Sequence, residues 1–318
     1  MAPDKFAPRI AVYVDLDLVG DALIKLPMVR ALRHAYPDAE LTWIAGRGPS
    51  AFASLLAPLV GGLLDHVMEN AGTGPFPMFD LLIDTQSTLG TALALRRSAR
   101  RFVTAAAWGL PSRPPRLVPG APRHLVRRLL ALLEQAAGKP DTANAPLALP
   151  KPTRALAARL LPEGPRYVAQ VIGAGGKHKV WPLAHHVTLA RALLADGDVP
   201  VIILGPDEAG LHTGLATQLP AARFPLQEAQ AEGHRADPPL TIALAAHCAA
   251  GVAADCGGGH MLASAGIPLV SLFGPTDPGK FAPFTPRLTI IRAQDHGSPD
   301  MSAIPPEAVR AQLQRFPA

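Results

Sequence analysis

Cysteine, aromatic side chains and long apolar runs are all scarce in this 318-residue chain. With only two cysteines, Cys248 and Cys256, the chain has no disulfide framework, which favours a reducing compartment. No uncharged apolar run approaches the roughly 20 residues that span a bilayer. The first residues also lack the charged and apolar regions of a signal peptide. We therefore expect a cytoplasmic protein.

Basic residues exceed acidic ones, giving a formal charge of +5, which points to anionic partners. The arginines cluster in RRSARR (96–101) and RHLVRR (123–128). Each cluster is either a solvated helix face or a surface for an anionic substrate or lipid headgroup. Nucleic acid is not an expected partner, because no aromatic residues interleave with these charges and no binding motif is present.

Short apolar runs alternate with helical periodicity along the chain, and this pattern predicts parallel sheets with helices on both faces. A proline-rich stretch, 138–153, lacks that periodicity and is interpreted as a linker. We therefore predict two doubly wound α/β domains, 1–150 and 151–303, with ligands bound in a cleft between their sheets. Residues 304–318 would form a terminal helix that could cross back to the first domain. Strands are predicted at 9–14, 40–45, 79–84, 101–107, 166–173, 199–205, 251–255, 268–274 and 287–293.

A glycine-rich turn follows the strand that ends at Asp255, and a helix is predicted to begin at about Gly258. The first turn of a helix has unpaired N–H groups and a partial positive charge, and glycine lets a ligand approach. Together these features favour a seat for phosphate oxygens. The alternative is a tight strand–helix turn that needs flexible residues and binds nothing.

A second glycine turn, GAGGKHKVWP (173–182), is neither a dinucleotide fingerprint nor a P-loop. His178 stands where the fingerprint needs its last glycine, and it follows Lys177 where a P-loop needs Ser or Thr. Lys177 and Lys179 could neutralise a departing diphosphate, or could belong to a solvated loop. Trp181 is expected to anchor this loop by packing.

The first β–α junction places Asp21 at the start of a helix. Such a carboxylate can cap the helix or serve as a general base, and Asp15 and Asp17 are rivals for either role. His185 and His186 are expected on a helix surface, and Cys248 in the core. These residues lack metal-ligand spacing, and no G-x-S-x-G elbow is present, so neither a metal site nor a serine triad is predicted.

Five segments, in order, resemble glycosyltransferase family 9, the ADP-heptose:lipopolysaccharide heptosyltransferases. They are VGDALIKLP (19–27), FDLLIDTQS (79–87), GAGGKHKVWP (173–182), the long segment DCGGGHMLASAGIPLVSLFGPTDP (255–278) and PDMSAIPPEAV (299–309). The long segment is the specific one, since it is similar to D-T-G-x-x-H-x-A-x-A-x-G-x-P-x-V-x-L-F-G-P-T-x-P over its whole length.

This resemblance implies a GT-B fold, with a nucleotide-sugar donor in the second Rossmann-like domain and an acceptor in the first. It implies inverting transfer of heptose from ADP-heptose to an anionic glycolipid, the lipopolysaccharide core, without a metal or another cofactor. Asp21 would be the general base, Glu208 would bind the ribose, and Asp255, Gly175 and Gly176 would organise the donor site. The diphosphate would be bound by Lys179, Cys256, Gly257, Gly258, Gly259 and His260.

The chain departs from the family pattern at several positions. Lys25 and Cys256 replace threonines, Gly258 replaces a common proline, and Ala174 and Gly175 carry no hydroxyl. The first loop also lacks a Ser or Arg often found there, so the acceptor could differ from the family's. Two alternatives remain: the same chemistry with another sugar nucleotide or with a different glycan or protein acceptor, and an inactive sugar-nucleotide-binding relative.

Overall fold

The computed structural model describes residues 7–115, 122–138 and 147–317. The chain divides into two compact units, 1–143 and 144–318. Each unit is built on one five-stranded parallel sheet. Within the described ranges, every helix is too short or too polar to cross a bilayer.

The first unit has strand order β3-β2-β1-β4-β5, with all strands parallel. Its central strands are almost wholly buried, as expected for a sheet covered on both faces. The strands are β1 (Arg9–Val14), β2 (Glu40–Ala45), β3 (His66–Met68), β4 (Phe79–Asp84) and β5 (Ala99–Thr104), and the helices are α1 (Val19–Ala35), α2 (Ala57–Val60), α3 (Leu89–Leu95) and α4 (Leu125–Ala137).

The second unit has strand order β10-β9-β8-β6-β7, again all parallel. Its strands are β6 (Tyr167–Val171), β7 (Val199–Ile203), β8 (Ala250–Ala254), β9 (Leu269–Phe273) and β10 (Leu288–Arg292). Its helices are α5 (Lys151–Leu160), α6 (Leu183–Ala195), α7 (His212–Gln218), α8 (Pro225–Ala231), α9 (Pro238–Ala245), α10 (Gly257–Ser264), α11 (Pro278–Phe281) and α12 (Pro306–Leu313).

The predicted linker is too long at its carboxyl end. Residues 139–146 lie outside the described residues, but Lys151 already begins α5. Pro152 fits there because proline is tolerated in the first turn of a helix, where its missing N–H would have no partner. Ala157 and Leu160 then bury an apolar face against the core of the second unit.

The terminal helix α12 packs within the second unit. Val309 and Leu313 are fully buried in a cluster with Val168 and Trp181. The Trp181 indole N–H also donates to the carbonyl of Ile304 at 3.0 Å. The loop that carries Trp181 is therefore anchored by packing, as predicted.

Candidate active site

Three turns meet at the carboxyl edge of the second sheet, because β8, β6 and β7 are neighbours there. The turn after β6 ends in a short 3₁₀ segment, Lys177–Lys179. The turn after β7 carries Glu208, and the turn after β8 leads directly into α10. The two glycine turns that the sequence singles out are therefore side by side.

Lys179 and Asp255 join two of these turns. The Lys179 ammonium donates to Asp255 Oδ2 at 2.9 Å, and the carboxylate side chain is only 9% exposed. An ammonium has three N–H donors, so this bond leaves two for an anion. Asp255 thereby fixes the position of Lys179, whereas Lys177 in the same turn is exposed.

Helix α10 begins with three glycines after Cys256, whose backbone is extended, and no side-chain hydrogen bond caps the helix. The Gly259 N–H donates to the Cys256 carbonyl at 3.1 Å, and the amides of Gly257 and Gly258 before it form a candidate seat for an anion. Burial raises the pKa of the Cys256 thiol, against a smaller lowering by the nearby Gly259 and Gly258 amides. His260 is buried in the first turn of this helix.

Packing leaves little room for a side chain at Gly258, where a Cβ would lie 2.5 Å from Val171 Cγ1. A Cβ on Gly173 would displace the Glu208 carboxylate, which packs against this glycine. Gly205 also packs against Glu208, where a Cβ would lie 2.7 Å from Oε2. Glu208, the residue predicted to bind the ribose, thus lies between the turns after β6 and β7. By contrast, Gly175 has open space around it.

The carboxyl edge of the first sheet contains Asp15, Asp17 and Asp21, and the structure separates their roles. Asp17 is fully buried and ion-paired with Lys25 at 2.9 Å. It also accepts hydrogen bonds from the indole N–H of Trp43 at 2.9 Å and the hydroxyl of Ser50 at 2.6 Å. An acid so fully engaged is poorly placed to take a proton from a substrate.

Asp15 is likewise paired, accepting from the guanidinium of Arg47 at 2.8 Å. Asp21 lies two residues inside α1, in its first turn, and is half-buried. The N-cap residue of α1 is Leu18, so Asp21 does not cap this helix. Of the three acids, Asp21 is therefore the one best placed to act on a ligand.

Asp84 is an acidic residue at the same edge that sequence reasoning did not select. It ends β4 and is fully buried. Its carboxylate accepts hydrogen bonds from the Thr104 hydroxyl and from the backbone N–H of Gln86, both at 2.9 Å. Burial raises its pKa to about 6, and these two hydrogen bonds oppose the rise. The sequence did contain a signal for Asp84, since it ends an apolar strand inside the FDLLIDTQS segment.

His186 and Cys248 belong to the core, whereas His185 is half-buried. His186 was expected on a helix surface, and that prediction is wrong, because His186 packs beneath Trp181 with ring centroids 4.7 Å apart. Burial lowers the His186 pKa to about 3 and raises the Cys248 pKa to about 12. Among the described residues, no three His, Cys, Asp or Glu side chains are grouped to hold a metal ion.

Comparison with solved structures defines the fold class. The chain resembles a family 9 glycosyltransferase from Veillonella parvula DSM 2008 (TM-score 0.70, 18% identity, 98% of both chains covered). It also resembles E. coli ADP-heptose LPS heptosyltransferase II (0.67, 19%, 97% of this chain and 98% of that one). A third match is E. coli heptosyltransferase WaaC with ADP (0.68, 18%, 97% and 100%). The predicted GT-B class, with two Rossmann-like parallel-sheet domains, is confirmed.

The family follows from the sequence itself. Residues 77–307, more than two thirds of the chain, match the model of glycosyltransferase family 9 (heptosyltransferase), and the chain belongs to this family. No curated protein matches the chain by sequence. The protein is therefore a heptosyltransferase-like glycosyltransferase, as the ordered motifs indicated.

Proposed function

We propose that this glycosyltransferase moves heptose from ADP-heptose to an anionic glycolipid acceptor of the lipopolysaccharide core, at the cytoplasmic face of the inner membrane. The observation that supports a diphosphate-containing donor is the Lys179–Asp255 pair beside the start of α10, which begins with glycines and has no side-chain cap. An oriented ammonium and main-chain amides at a helix start suit a diphosphate leaving group. The E. coli relatives support the choice of donor, since one is named for ADP-heptose and another holds ADP.

The proposed reaction is a single displacement. An acceptor hydroxyl oxygen attacks the anomeric carbon while the bond from that carbon to the diphosphate oxygen breaks, which inverts the anomeric configuration. Asp21 takes the hydroxyl proton as general base. The electron pair of the broken bond stays on the diphosphate, where Lys179 and the amides of Gly257 and Gly258 neutralise it, so that no metal is needed. Glu208 accepts hydrogen bonds from the ribose hydroxyls, and His260 supports the start of α10.

Nucleotide binding tests the donor. We expect ADP to raise the melting temperature of the protein more than UDP or GDP, and Lys179→Met to remove most of that rise. ADP-heptose with a heptose-deficient lipopolysaccharide acceptor should then give a heptosylated product, detected by mass spectrometry. A clear preference for UDP would end the ADP-heptose proposal, and tight ADP binding without transfer would identify an inactive relative.

A second candidate keeps this chemistry and changes the acceptor. The buried Lys25–Asp17 ion pair stands where the family motif has a threonine, in the helix that also carries Asp21. That difference lies on the acceptor side and favours another glycan or a protein hydroxyl. Lipopolysaccharide from a strain lacking this protein separates the two candidates. A missing heptose supports the core acceptor, and an unchanged core supports the alternative.

A further inference from the structure

Exposed apolar side chains are concentrated on the first unit. Of the ten large apolar side chains that are substantially exposed in the described ranges, eight belong to it. Six of the eight lie on the segments that follow neighbouring strands β1, β4 and β5 at their carboxyl ends. We call these six the apolar rim: Leu16, Leu18, Leu89, Leu93, Trp108 and Leu110. A solvent-facing group of this kind marks an interaction surface.

Trp108 is the most exposed member of the apolar rim, at 74%. It sits in a turn where Ala107 (φ 45°) and Trp108 (φ 56°) both have left-handed backbone conformation. This conformation is unfavourable for a residue with a Cβ. The turn is held by hydrogen bonds from Leu110 N to the Ala107 carbonyl and from Ser112 N to the Gly109 carbonyl. A strained backbone therefore presents the largest side chain to solvent instead of burying it.

Cations lie at the same edge. The Tyr36 hydroxyl, just past the end of α1, donates to the Ala136 carbonyl near the end of α4 at 2.9 Å. The two packed helices therefore run parallel and end together. Since α4 is four residues shorter than α1, it begins about one turn below the start of α1, on the side of the carboxyl edge of the sheet. Arg123 and Arg127, at that start, are exposed.

The other arginine cluster, 96–101, lies at the opposite edge. It precedes or begins β5, and its Arg100 pairs with Asp80, near the start of β4, at 3.4 Å. The Arg101 guanidinium donates to the Ala136 carbonyl, at the end of α4 that is remote from the rim. Only the 123–128 cluster therefore shares its edge with the apolar rim.

We propose that the apolar rim docks on an anionic lipid bilayer, with Trp108 and Leu110 in the interfacial layer and Arg123 and Arg127 against headgroup phosphates. Tryptophan prefers the membrane–water interface, and each cation near an anionic surface contributes about 1 kcal/mol. The choice of a bilayer follows from this pairing of apolar side chains with a basic border. The inference rests on the proposed function in one respect, since a lipid-linked acceptor would be met at the edge that carries Asp21.

The tryptophan content of the protein gives a direct assay. Trp43 and Trp181 are buried, so a lipid-induced change in fluorescence reports on Trp108. With vesicles of phosphatidylcholine and phosphatidylglycerol we expect a blue shift, and quenching when the lipid chains are brominated. Vesicles of phosphatidylcholine alone should give little of either. No shift with anionic vesicles, or equal shifts with both kinds, would overturn the proposal.

Variants on the apolar rim, each matched with a control near the opposite edge, test whether the rim is the surface that binds the membrane. Trp108→Ser and Arg127→Glu should each weaken co-sedimentation with anionic vesicles by about fivefold or more. Met78→Ser and Arg97→Glu remove exposed side chains near the opposite edge and should leave co-sedimentation unchanged. Equal losses of vesicle binding in the two rim variants and the two control variants would refute the apolar rim as the membrane-binding surface. So would a wild-type dimer that Trp108→Ser converts to monomers, because a second copy would then cover the rim. ADP binding should be unaffected in all four, so failure here is distinguishable from failure of the proposed donor chemistry.

Discussion

The carboxyl edges of the two sheets use acidic residues in opposite ways. At the first edge, Asp15 and Asp17 are neutralised inside their own unit by Arg47 and Lys25. At the second edge, Asp255 instead holds Lys179 beside the glycine-rich start of α10. The first edge is thus organised by paired side chains, and the second by main-chain amides with one oriented ammonium.

This difference decides what each edge can bind. Main-chain amides at a helix start recognise any phosphate, so the second edge suits a nucleotide diphosphate whatever the sugar attached to it. At the first edge Asp21 is half-buried, whereas Asp15, Asp17 and Asp84 are held by side-chain or backbone partners, so Asp21 is the proton acceptor that we propose there. Under the proposed function, the donor side would therefore depend on backbone shape, and the acceptor side on one side chain.

The sharpest test of the comparison removes Asp21. Asp21→Asn should lower the turnover of the transferase by about 10²–10⁴-fold, because a positioned base contributes that much to rate. ADP affinity should stay at the wild-type value, since the phosphate seat belongs to the other unit. Turnover is measured with ADP-heptose and acceptor, and ADP binding by calorimetry. Asp38→Asn, an exposed acid beyond the far end of α1, is the control. Unchanged turnover in Asp21→Asn would remove Asp21 from the mechanism.

Much of the fold could be predicted from the sequence because buried parallel strands are short, continuous apolar runs. The bounds of β1, β2 and β4 are as predicted. Strand β3 was missed because it has three residues at the sheet margin and none is buried. The start of α5 was missed because prolines around residue 150 suggested a linker.

The candidate site could be predicted only in part, for a physical reason. Glycine turns at strand ends are visible in the sequence, and so the Gly257–Gly259 seat and Lys179 could be proposed. Pairing between distant side chains is not visible in this way. The burial of Lys25 against Asp17, and the packing of Glu208 on Gly173, depend on how separate turns meet. The same limit applies to His186, whose helix turns it towards Trp181 and the core.

The second test breaks a paired acid at the first edge. Lys25→Thr restores the residue of the family motif but leaves Asp17 buried without its counter-ion. Removing one partner of a buried pair typically costs about 3–5 kcal/mol of unfolding free energy. We expect the lower end of that range, because Trp43 and Ser50 still donate to the carboxylate. Asp15→Asn, which breaks the exposed pair, should cost far less in the same denaturant titration, because solvent screens that pair. Equal losses would contradict the distinction between the two pairs.

The third test uses pH to probe the buried acid at that edge. The pKa of Asp84 is raised to about 6 from an ordinary 3.8, so the folded state binds its proton more tightly than the unfolded state. Stability should therefore fall as pH rises from about 4 to about 6, by about 3 kcal/mol in total. Asp84→Asn removes the titrating carboxyl and should lack this fall. Its single carbonyl oxygen can accept from only one of the Thr104 and Gln86 donors, which bond to different oxygens of Asp84, so the pH slope of its stability is compared and not its absolute stability. Unfolding free energies are compared across that range, and parallel curves for the two proteins would contradict the assignment.

The last test returns to the second edge and asks whether its ammonium acts on phosphate. Lys179→Met should weaken ADP binding by about 10–100-fold, since a hydrogen bond to a charged group contributes about 1.5–3 kcal/mol. Adenosine, which has no phosphate, should bind both proteins equally. Lys177→Met removes an exposed ammonium from the same 3₁₀ turn and should change ADP affinity little. If Lys179→Met weakened adenosine as much as ADP, the loss would come from a collapsed turn. The second edge would then depend on paired side chains as the first one does, and the contrast between the two would not hold.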